Sequence, residues 1–510
     1  MTNHNLFATL RAGFPADLDE IAVETDSGLL YSWRDLERST AMMANLLASL
    51  NLPAGARIAV QVEKSVEAMV LYLATLRAGF VFLPLNTAYQ SAEIAYFIGN
   101  AEPAVVVCSK ANFGWISQIA FKAGSQHVFT LDDARGGSLL ERAAHCSDRH
   151  EVAIKHADDM AAILYTSGTT GRSKGAMLSH GNLLSNAMVL KDYWGWRTRE
   201  EGGDVLIHAL PIFHVHGLFV ALHGALINGS KMIWLSKFDP KKVVEKLPEA
   251  TVFMGVPTLY VRLLAEAGLS REACSRMRLF IAGSAPLLIE TFRAWQARTG
   301  HTILERYGMS ETAMLTSNPY QGGERRGGTV GFALPGVSFR VQDDAGQSLP
   351  AGEIGGIQVK GPNVFQGYWR MPEKTAEEFT ADGYFKTGDV GKIGEGGYIT
   401  IVGRSKDLII SGGYNVYPAE IEGYLNELPG VLESAVIGVP HPDFGEVGVA
   451  VLIGKPGALL DGPQLVADMK AKLANFKIPK QCFVVNELPR NTMGKVQKNL
   501  LRDQYKSLFA

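Results

Sequence analysis

The chain has 510 residues, of which 47% are hydrophobic and 20% are charged, so we expect an ordinary globular protein of roughly three domain-sized units. A formal net charge of −2 excludes the strongly basic composition typical of proteins that bind nucleic acid or anionic membranes. The four cysteines are far apart and form no C-x-x-C pair, which favours buried thiols in a reducing compartment. The first twenty residues lack an apolar signal segment, so we expect a cytoplasmic protein without a membrane or nucleic-acid partner.

The order of apolar runs and turns predicts an α/β fold. From about residue 30 to 350, short strand-like runs (57–61, 104–108, 204–208 and 279–282) alternate with helical patterns such as 65–76 and 257–267. This alternation is typical of βαβ units, so we predict a large multi-layer N-terminal domain.

The pattern of apolar runs and turns changes twice towards the carboxyl end. Closely spaced turns between 330 and 403 predict a small β subdomain. After Arg404, helices near 418–428 and 463–474 alternate with strands at 434–439 and 449–453, which predicts a small α+β domain. We therefore place the N-terminal domain at 1–403 and the C-terminal domain at 404–510.

The segment from Tyr165 to Gly175, Tyr-Thr-Ser-Gly-Thr-Thr-Gly-Arg-Ser-Lys-Gly, has the composition of a phosphate-binding loop. Glycines permit close approach of the backbone, while hydroxyl groups and Lys174 supply donors and positive charge. The spacing is not that of the P-loop of kinases and GTPases, because Gly171 lies three residues before Lys174 and Gly175 follows it. The pattern predicts a nucleotide site whose chemistry is open, with a flexible linker as the alternative.

Seven further motifs follow this loop in order. They are Leu210-Pro-Ile-Phe-His-Val-His-Gly217, Ala282-Gly-Ser-Ala-Pro286, Arg306-Tyr-Gly-Met-Ser-Glu-Thr312, Tyr384-Phe-Lys-Thr-Gly-Asp389, Gly403-Arg-Ser-Lys-Asp-Leu-Ile409, Ser411-Gly-Gly-Tyr-Asn-Val-Tyr-Pro-Ala-Glu-Ile-Glu422 and Pro489-Arg-Asn-Thr-Met-Gly-Lys495. With these eight blocks, nearly the whole chain resembles the AMP-forming acyl-CoA synthetases, in the superfamily that also includes peptide-synthetase adenylation domains and luciferases.

The resemblance implies that ATP, Mg²⁺ and coenzyme A take part in an acid–thiol ligase reaction. A carboxylate attacks the α-phosphorus of ATP, and coenzyme A then attacks the resulting acyl-adenylate. Because two anions must meet in the first step, the site needs positive charge. By resemblance, the catalytic residues are Lys495, His214 and Thr166, and Mg²⁺ is held by Thr166 and Glu311. Ordinary roles stay open for single residues: a helix-terminal acid for Glu311, a surface lysine for Lys495 and a core histidine for His214.

The same resemblance implies a nucleotide and coenzyme site. Asp389 and Arg404 resemble the ribose-binding pair, and Lys406 matches the hinge about which a mobile C-terminal domain reorients. The second orientation brings Gly412 and Gly413 beside the tunnel for the pantetheine arm of coenzyme A. The residues implied to bind cofactors are Thr166, Ser167, Gly168, Thr169, Thr170, Gly171, Lys174, Gly283, Ser284, Ala285, Tyr307, Gly308, Met309, Ser310, Glu311, Thr312, Asp389, Arg404, Lys406, Gly412, Gly413 and Lys495.

The choice of acid depends on one arginine. Arg262 lies in an apolar segment, where a guanidinium calls for an anionic partner such as the second carboxylate of a diacid. The alternatives are pairing with Glu266, or an apolar stem that extends the charged end into solvent. The surrounding motifs resemble malonyl-CoA synthetases most, which implies malonate, and methylmalonate besides, as the acid. Substrate contacts are expected from His214, Arg262, Ser284 and Met309, and Arg262→Leu is expected to abolish malonate use.

Other functions stay open at this point. A medium-chain or aryl acyl-CoA ligase shares the adenylation step, and a luciferase-like oxygenase shares it but finishes with O₂. The joint presence of Lys495, Glu311 and Asp389 argues against a non-catalytic nucleotide-binding protein. A stand-alone peptide-synthetase adenylation domain is a further alternative. By resemblance to regulated CoA synthetases, a lysine acetyltransferase and deacetylase that act on Lys495 are expected partners.

Overall fold

The structure, a computed structural model, describes residues 3–166, 173–411, 414–470, 473, 475–491 and 494–509. Four sheets, with helices packed between and around them, make up the fold. Two large sheets and one small sheet precede Arg404, and the fourth sheet follows it. This is the predicted mixed α/β architecture.

The strands, in chain order, are β1 (Ile21–Thr25), β2 (Leu30–Ser32), β3 (Arg57–Gln61), β4 (Val81–Pro84), β5 (Val105–Cys108), β6 (His127–Thr130), β7 (Met160–Thr166), β8 (Lys174–Ser179), β9 (Val205–His208), β10 (Lys231–Trp234), β11 (Val252–Gly255), β12 (Leu279–Ala282), β13 (Leu304–Met309), β14 (Ala313–Ser317), β15 (Phe332–Ala333), β16 (Ser338–Gln342), β17 (Gly355–Lys360), β18 (Gly367–Tyr368), β19 (Phe385–Ile393), β20 (Ile399–Arg404), β21 (Ile409–Ser411), β22 (Tyr414–Val416), β23 (Val431–His441), β24 (Gly445–Gly454) and β25 (Gln481–Val485).

The α-helices are α1 (Leu6–Ala12), α2 (Trp33–Ser49), α3 (Val66–Arg77), α4 (Ser91–Ala101), α5 (Phe113–Lys122), α6 (Ser138–Ala143), α7 (His180–Tyr193), α8 (Leu222–Ile227), α9 (Pro240–Lys246), α10 (Pro257–Leu264), α11 (Ile289–Thr299), α12 (Pro372–Glu378), α13 (Pro418–Asn426), α14 (Gly462–Lys470) and α15 (Lys498–Tyr505).

The two large sheets share one hydrophobic core. One sheet has the strand order β15-β14-β13-β12-β11-β9-β10-β1-β2, and the other has the order β18-β8-β7-β4-β3-β5-β6. Helix α3 is buried along its whole length in that core, and its apolar residues continue around all of its faces, as expected of a helix without a solvent side. Its first turn is capped by the Ser65 hydroxyl, which accepts a hydrogen bond from the Ala68 amide at 3.1 Å.

The carboxyl ends of parallel strands position the site. Strands β9 to β13 run parallel in neighbouring positions, so the chain leaves β9, β12 and β13 at one edge of the sheet. Open α/β sheets bind ligands at this edge. The motifs that begin at Leu210, Ala282 and Arg306 therefore converge there.

The two smaller sheets flank this edge. The four-stranded sheet has the order β16-β17-β19-β20, and the last sheet has the order β22-β21-β24-β23 with β25 beside β24. The last sheet packs its core against α13 and α14. The predicted helices and strands after Arg404 are confirmed, with longer strands than expected at Val431–His441 and Gly445–Gly454. The exact domain boundary at 403 stays a prediction.

The early strand and helix predictions are also confirmed. The runs at 57–61, 104–108, 204–208 and 279–282 are strands to within one residue, and α3 and α10 occupy the two predicted helical segments. Across the described part of the chain, the structure contains no helix with both the length and the apolar character needed to cross a bilayer.

Candidate active site

A pair of oppositely charged groups forms where β19 and β20 lie side by side. Asp389 and Arg404 are partners in the antiparallel register of these strands, and the Arg404 Nε atom lies 3.0 Å from Asp389 Oδ1. The Tyr307 hydroxyl donates to the other carboxylate oxygen at 2.5 Å. Burial and Asp389 raise the pKa of Tyr307, so the phenol stays protonated and keeps donating. The carboxylate is thus held rigidly and suits the acceptance of hydrogen bonds from sugar hydroxyls.

Tyr368 connects Lys174 with Glu311 on the side of the site where we expect the phosphates. The Lys174 ammonium lies 4.1 Å from the centre of the Tyr368 ring, and the Tyr368 hydroxyl donates to Glu311 Oε1 at 3.0 Å. Thr166 faces Lys174 in the antiparallel register of β7 and β8, which brings its hydroxyl to the same cluster. The residues from Ser167 to Gly171, which the sequence assigns to phosphate binding, lie outside the described residues.

Glu311 is a buried carboxylate in the turn between β13 and β14. Burial raises its pKa, and the Tyr368 hydroxyl and the charge of Lys174 oppose this shift. The alternative role as a helix-terminal acid is wrong, because the chain continues from the turn into a strand. A buried carboxylate that is linked through Tyr368 to Lys174 fits Mg²⁺, which takes one or two protein oxygens and completes its shell with phosphate and water.

Further residues that the sequence assigns to cofactor binding lie on the loops after β12 and β13. Gly283 is buried and Ser284 has a φ of +72°, a conformation that is uncommon for a residue with a side chain. At Gly308, a Cβ atom would lie 2.0 Å from the carbonyl oxygen of Ala313, so only glycine fits. Met309 pairs with Ala313 across the hairpin, which turns tightly enough to place Glu311 at its tip. Ala285, Ser310 and Thr312 lie on the same two loops.

The histidines in and around the Leu210 motif have different surroundings. His208 stacks on Trp234 with a ring separation of 4.6 Å, and His223 shares a 2.7 Å hydrogen bond with the Tyr72 hydroxyl, so both are core residues. His214 is only partly buried, and its Nδ1 atom accepts a hydrogen bond from the His216 amide at 3.3 Å. Burial, together with Lys495 and Arg306, lowers the pKa of His214 to about 3, so the ring is neutral and carries its proton on Nε2.

Lys495 is presented by a tight turn. The Asn491 amide donates to the carbonyl of Lys495 at 2.9 Å, the Lys495 amide donates to Asn491 Oδ1 at 3.0 Å, and Gly494 has a φ of +75°. The Lys495 residue is exposed, and surrounding protein groups lower its pKa to about 8, by desolvation first and by Arg404 second. The charges of Asp389 and Glu311 oppose this shift, so both carboxylates lie within electrostatic reach of Lys495.

A cavity of about 540 Å³ adjoins these groups. Its wall includes Phe213 and Arg262 from the N-terminal part, and Arg490 and Gly494 from the loop that carries Lys495. Arg262 is exposed on this wall, and no acid in the described ranges forms an ion pair with it, so the predicted alternative of pairing with Glu266 is not observed.

Some functional candidates were not predicted from sequence. Lys64 is buried on the cavity wall, where its ammonium donates to the carbonyl groups of His208 and Leu235 at 2.8 and 2.7 Å. The others are Tyr368, which lies outside all eight motifs, and Arg306, which begins one of them but received no role from the sequence. Lys406 follows β20 and is half-buried, with its pKa lowered to about 8 by burial and by Arg404. Gly412 and Gly413 lie outside the described residues.

Comparison with known proteins agrees with this geometry. The profile of the family described as AMP-binding enzyme matches residues 14–369, and that of the AMP-binding enzyme C-terminal domain matches residues 420–495. The malonate–CoA ligase of Arabidopsis thaliana is 34% identical, over 95% of this chain and 86% of its own length. The mitochondrial malonate–CoA ligase of Homo sapiens is also 34% identical, over 85% of this chain and 80% of its own.

Solved structures give a closer match. The crystal structure of ATP-bound MatB from Rhodopseudomonas palustris is 55% identical, covers the whole of both chains and has a TM-score of 0.96. The apo structure of that protein has a TM-score of 0.85 at the same identity and coverage, so this chain is arranged more like the ATP-bound form. From the family match over most of its length and from these relatives, we conclude that the chain belongs to the AMP-binding enzyme family.

Proposed function

We propose that this protein ligates malonate, and methylmalonate besides, to coenzyme A through an acyl-adenylate, with consumption of ATP and release of AMP and pyrophosphate. The observation that carries the proposal is the position of Lys495 within electrostatic reach of Asp389 and Glu311, in a chain arranged like an ATP-bound MatB. The malonate–CoA ligases among the relatives support the choice of acid over a medium-chain or aryl substrate.

In the first half-reaction, Asp389 accepts hydrogen bonds from the ribose hydroxyls, and Tyr307 and Arg404 hold the carboxylate in place. Thr166 and Lys174 contact the phosphates. A malonate oxygen attacks the α-phosphorus, the bond to pyrophosphate breaks, and an acyl-adenylate forms. The Lys495 ammonium counters the negative charge that accumulates as the two anions meet, and this electrostatic contribution is largest in the transition state.

Glu311 and Thr166 are the residues that would hold Mg²⁺. The buried carboxylate of Glu311 accepts a 3.0 Å hydrogen bond from the Tyr368 hydroxyl, and burial raises its pKa. Bound there, the ion would supply positive charge to the departing phosphate oxygens.

In the second half-reaction, the thiol of coenzyme A attacks the adenylate carbonyl and AMP departs. We assign the cavity of about 540 Å³ to the pantetheine arm, since it is larger than a three-carbon diacid requires and leads to Phe213 beside His214. Arg490 and Gly494 line this cavity, so the Lys495 loop must move before the arm enters. Rotation about Lys406, with Gly412 and Gly413 replacing that loop, remains our proposal for this movement.

Arg262, Ser284 and Met309 remain the proposed contacts on the acid side. Arg262 lies on the cavity wall, and the Ser284 hydroxyl lies 3.5 Å from His216 Nδ1. The test of the function is AMP and acyl-CoA formation with a panel of malonate, methylmalonate, propionate, octanoate and benzoate. Malonate and methylmalonate should give the highest kcat/KM, and preference for octanoate or benzoate would refute the assignment.

Two regulatory and cellular aspects also remain proposals. Lys495 is accessible and its pKa is lowered to about 8, so part of it is an uncharged nucleophile that an acetyltransferase can modify. Acetylation would remove the charge needed for adenylation; intact-mass analysis after treatment with acetyl donor and acetyltransferase, with no gain at Lys495, would refute this. We also propose a cytoplasmic location. Because one relative is named mitochondrial, this proposal needs a test, and fractionation of cells provides it.

A further inference from the structure

Asn491 is bonded to both backbone groups of Lys495. Its Oδ1 atom accepts a hydrogen bond from the Lys495 amide at 3.0 Å, and its own amide donates to the Lys495 carbonyl at 2.9 Å. The carbonyl of Asn491 also accepts from the Gly494 amide at 2.9 Å, which closes the turn. These bonds fix the backbone of Lys495 and with it the direction in which the lysine side chain leaves the turn.

The same turn is attached on two sides. Arg490 donates from Nη1 to the Gly494 carbonyl at 2.8 Å, and its guanidinium pairs with Glu433 on β23. On the other side the turn lies against α10, because a Cβ atom at Gly494 would be 3.7 Å from Thr258 Oγ1. With the ends of the turn held in this way, its internal shape decides where the Lys495 ammonium lies relative to the site.

The position of this ammonium has a large effect on its electrostatic contribution. Lysine carries a compact charge on a flexible stem, so the backbone that holds it has to be well defined, to within about 0.5 Å in a working site. Withdrawal of a unit charge from about 4 Å to about 6 Å, at an effective dielectric constant of about 20, corresponds to about a tenfold change in rate.

We propose that Asn491 is a positioning residue for adenylate formation, which acts through Lys495 by holding its backbone. This inference rests on the proposed function and deepens it. Asparagine often bonds to the backbone of its own turn, and a role in stability alone would affect both half-reactions equally. Asn491 also lies on the cavity wall, but the proposed movement takes the turn away before coenzyme A enters, so the second half-reaction should be spared.

The test measures the two half-reactions separately in Asn491→Leu, which keeps the approximate size of the side chain and removes the acceptor. We expect exchange of labelled pyrophosphate into ATP, at saturating ATP and malonate, to slow by about tenfold. KM for ATP should stay unchanged. Transfer from a presynthesised acyl-adenylate to coenzyme A should stay within about threefold of the parent, a difference of less than about 1 kcal/mol.

Two variants serve as controls. Asn491→Asp keeps an acceptor oxygen at the same place and should restore pyrophosphate exchange to within about threefold of the parent. Asn426→Leu removes another asparagine acceptor from the C-terminal part of the chain, where Asn426 Oδ1 accepts from the Ser434 hydroxyl at 2.8 Å. Its loss should change both half-reactions by the same factor. Should Asn491→Leu not fold, Asn491→Ala takes its place with the same expected pattern.

A double variant shows whether Asn491 acts through the lysine. Added to Lys495→Ala, the Asn491→Leu substitution should slow pyrophosphate exchange no further, because the group that it positions is already absent. A further tenfold loss in the double variant overturns the proposal, and so does an equal loss of both half-reactions, or no loss, in the single variant. A parent protein that makes no AMP from malonate, or a Lys495→Ala variant with parental exchange, instead refutes the proposed function itself.

Discussion

Removal of the Lys495 charge should separate the two half-reactions. Lys495→Ala takes away an ammonium that acts on Asp389 and Glu311 across the nucleotide site. One unit charge at about 4 Å contributes about 4 kcal/mol at an effective dielectric constant of 20, which corresponds to about three decades of rate if the interaction forms only in the transition state. We therefore expect adenylate formation to slow by about a thousandfold.

The assay measures each half-reaction alone. Exchange of labelled pyrophosphate into ATP, in the presence of malonate, reports adenylate formation, and transfer from a presynthesised acyl-adenylate to coenzyme A reports the second step. The second rate should stay within about threefold of the parent. Lys498→Ala is the control, because Lys498 pairs with Glu422 at 2.6 Å, away from the site. A Lys495→Ala variant that exchanges pyrophosphate as fast as the parent refutes the reasoning.

Three further predictions follow from the contacts. Because Lys495 must be charged and its pKa is lowered to about 8, adenylate formation should decline as pH rises through 8, and a flat pH–rate profile to pH 9.5 contradicts this. Asp389→Asn should raise KM for ATP by about 10- to 100-fold, with KM for malonate unchanged, as steady-state kinetics would show. Because Arg262 is exposed, Arg262→Leu should lower kcat/KM for malonate by about tenfold and not abolish malonate use, as the sequence alone led us to expect; unchanged malonate kinetics contradict its role.

Local sequence patterns predicted the elements that carry the site. The strands β3, β9 and β12 are short apolar runs bounded by turn residues, and buried parallel strands have this appearance. Helix α10 was predicted three residues too long, because the pattern continues past Leu264 while the backbone turns after it. Element types therefore followed from local physics, while element ends depended on tertiary packing.

Motifs predicted which residues make up the candidate site, and that assignment stays a prediction; they did not predict which other side chains contact and hold those residues. Tyr368 lies far along the chain from both Lys174 and Glu311, and only the pairing of β18 with β8 brings its ring and hydroxyl between them. No local pattern marks a tyrosine for such a position. The histidines show the same limit, since His208 and His214 belong to one short segment, yet stacking on Trp234 makes only His208 a core residue.

The placement of one loop links the two proposed half-reactions. The turn that carries Lys495 also supplies Arg490 and Gly494 to the wall of the cavity. If the cavity receives the pantetheine arm, as we propose, this loop occupies part of its wall while the Lys495 ammonium counters charge at the phosphorus. We expect the loop to move after pyrophosphate has departed, when less negative charge has to be countered, so that coenzyme A meets an adenylate that is already formed.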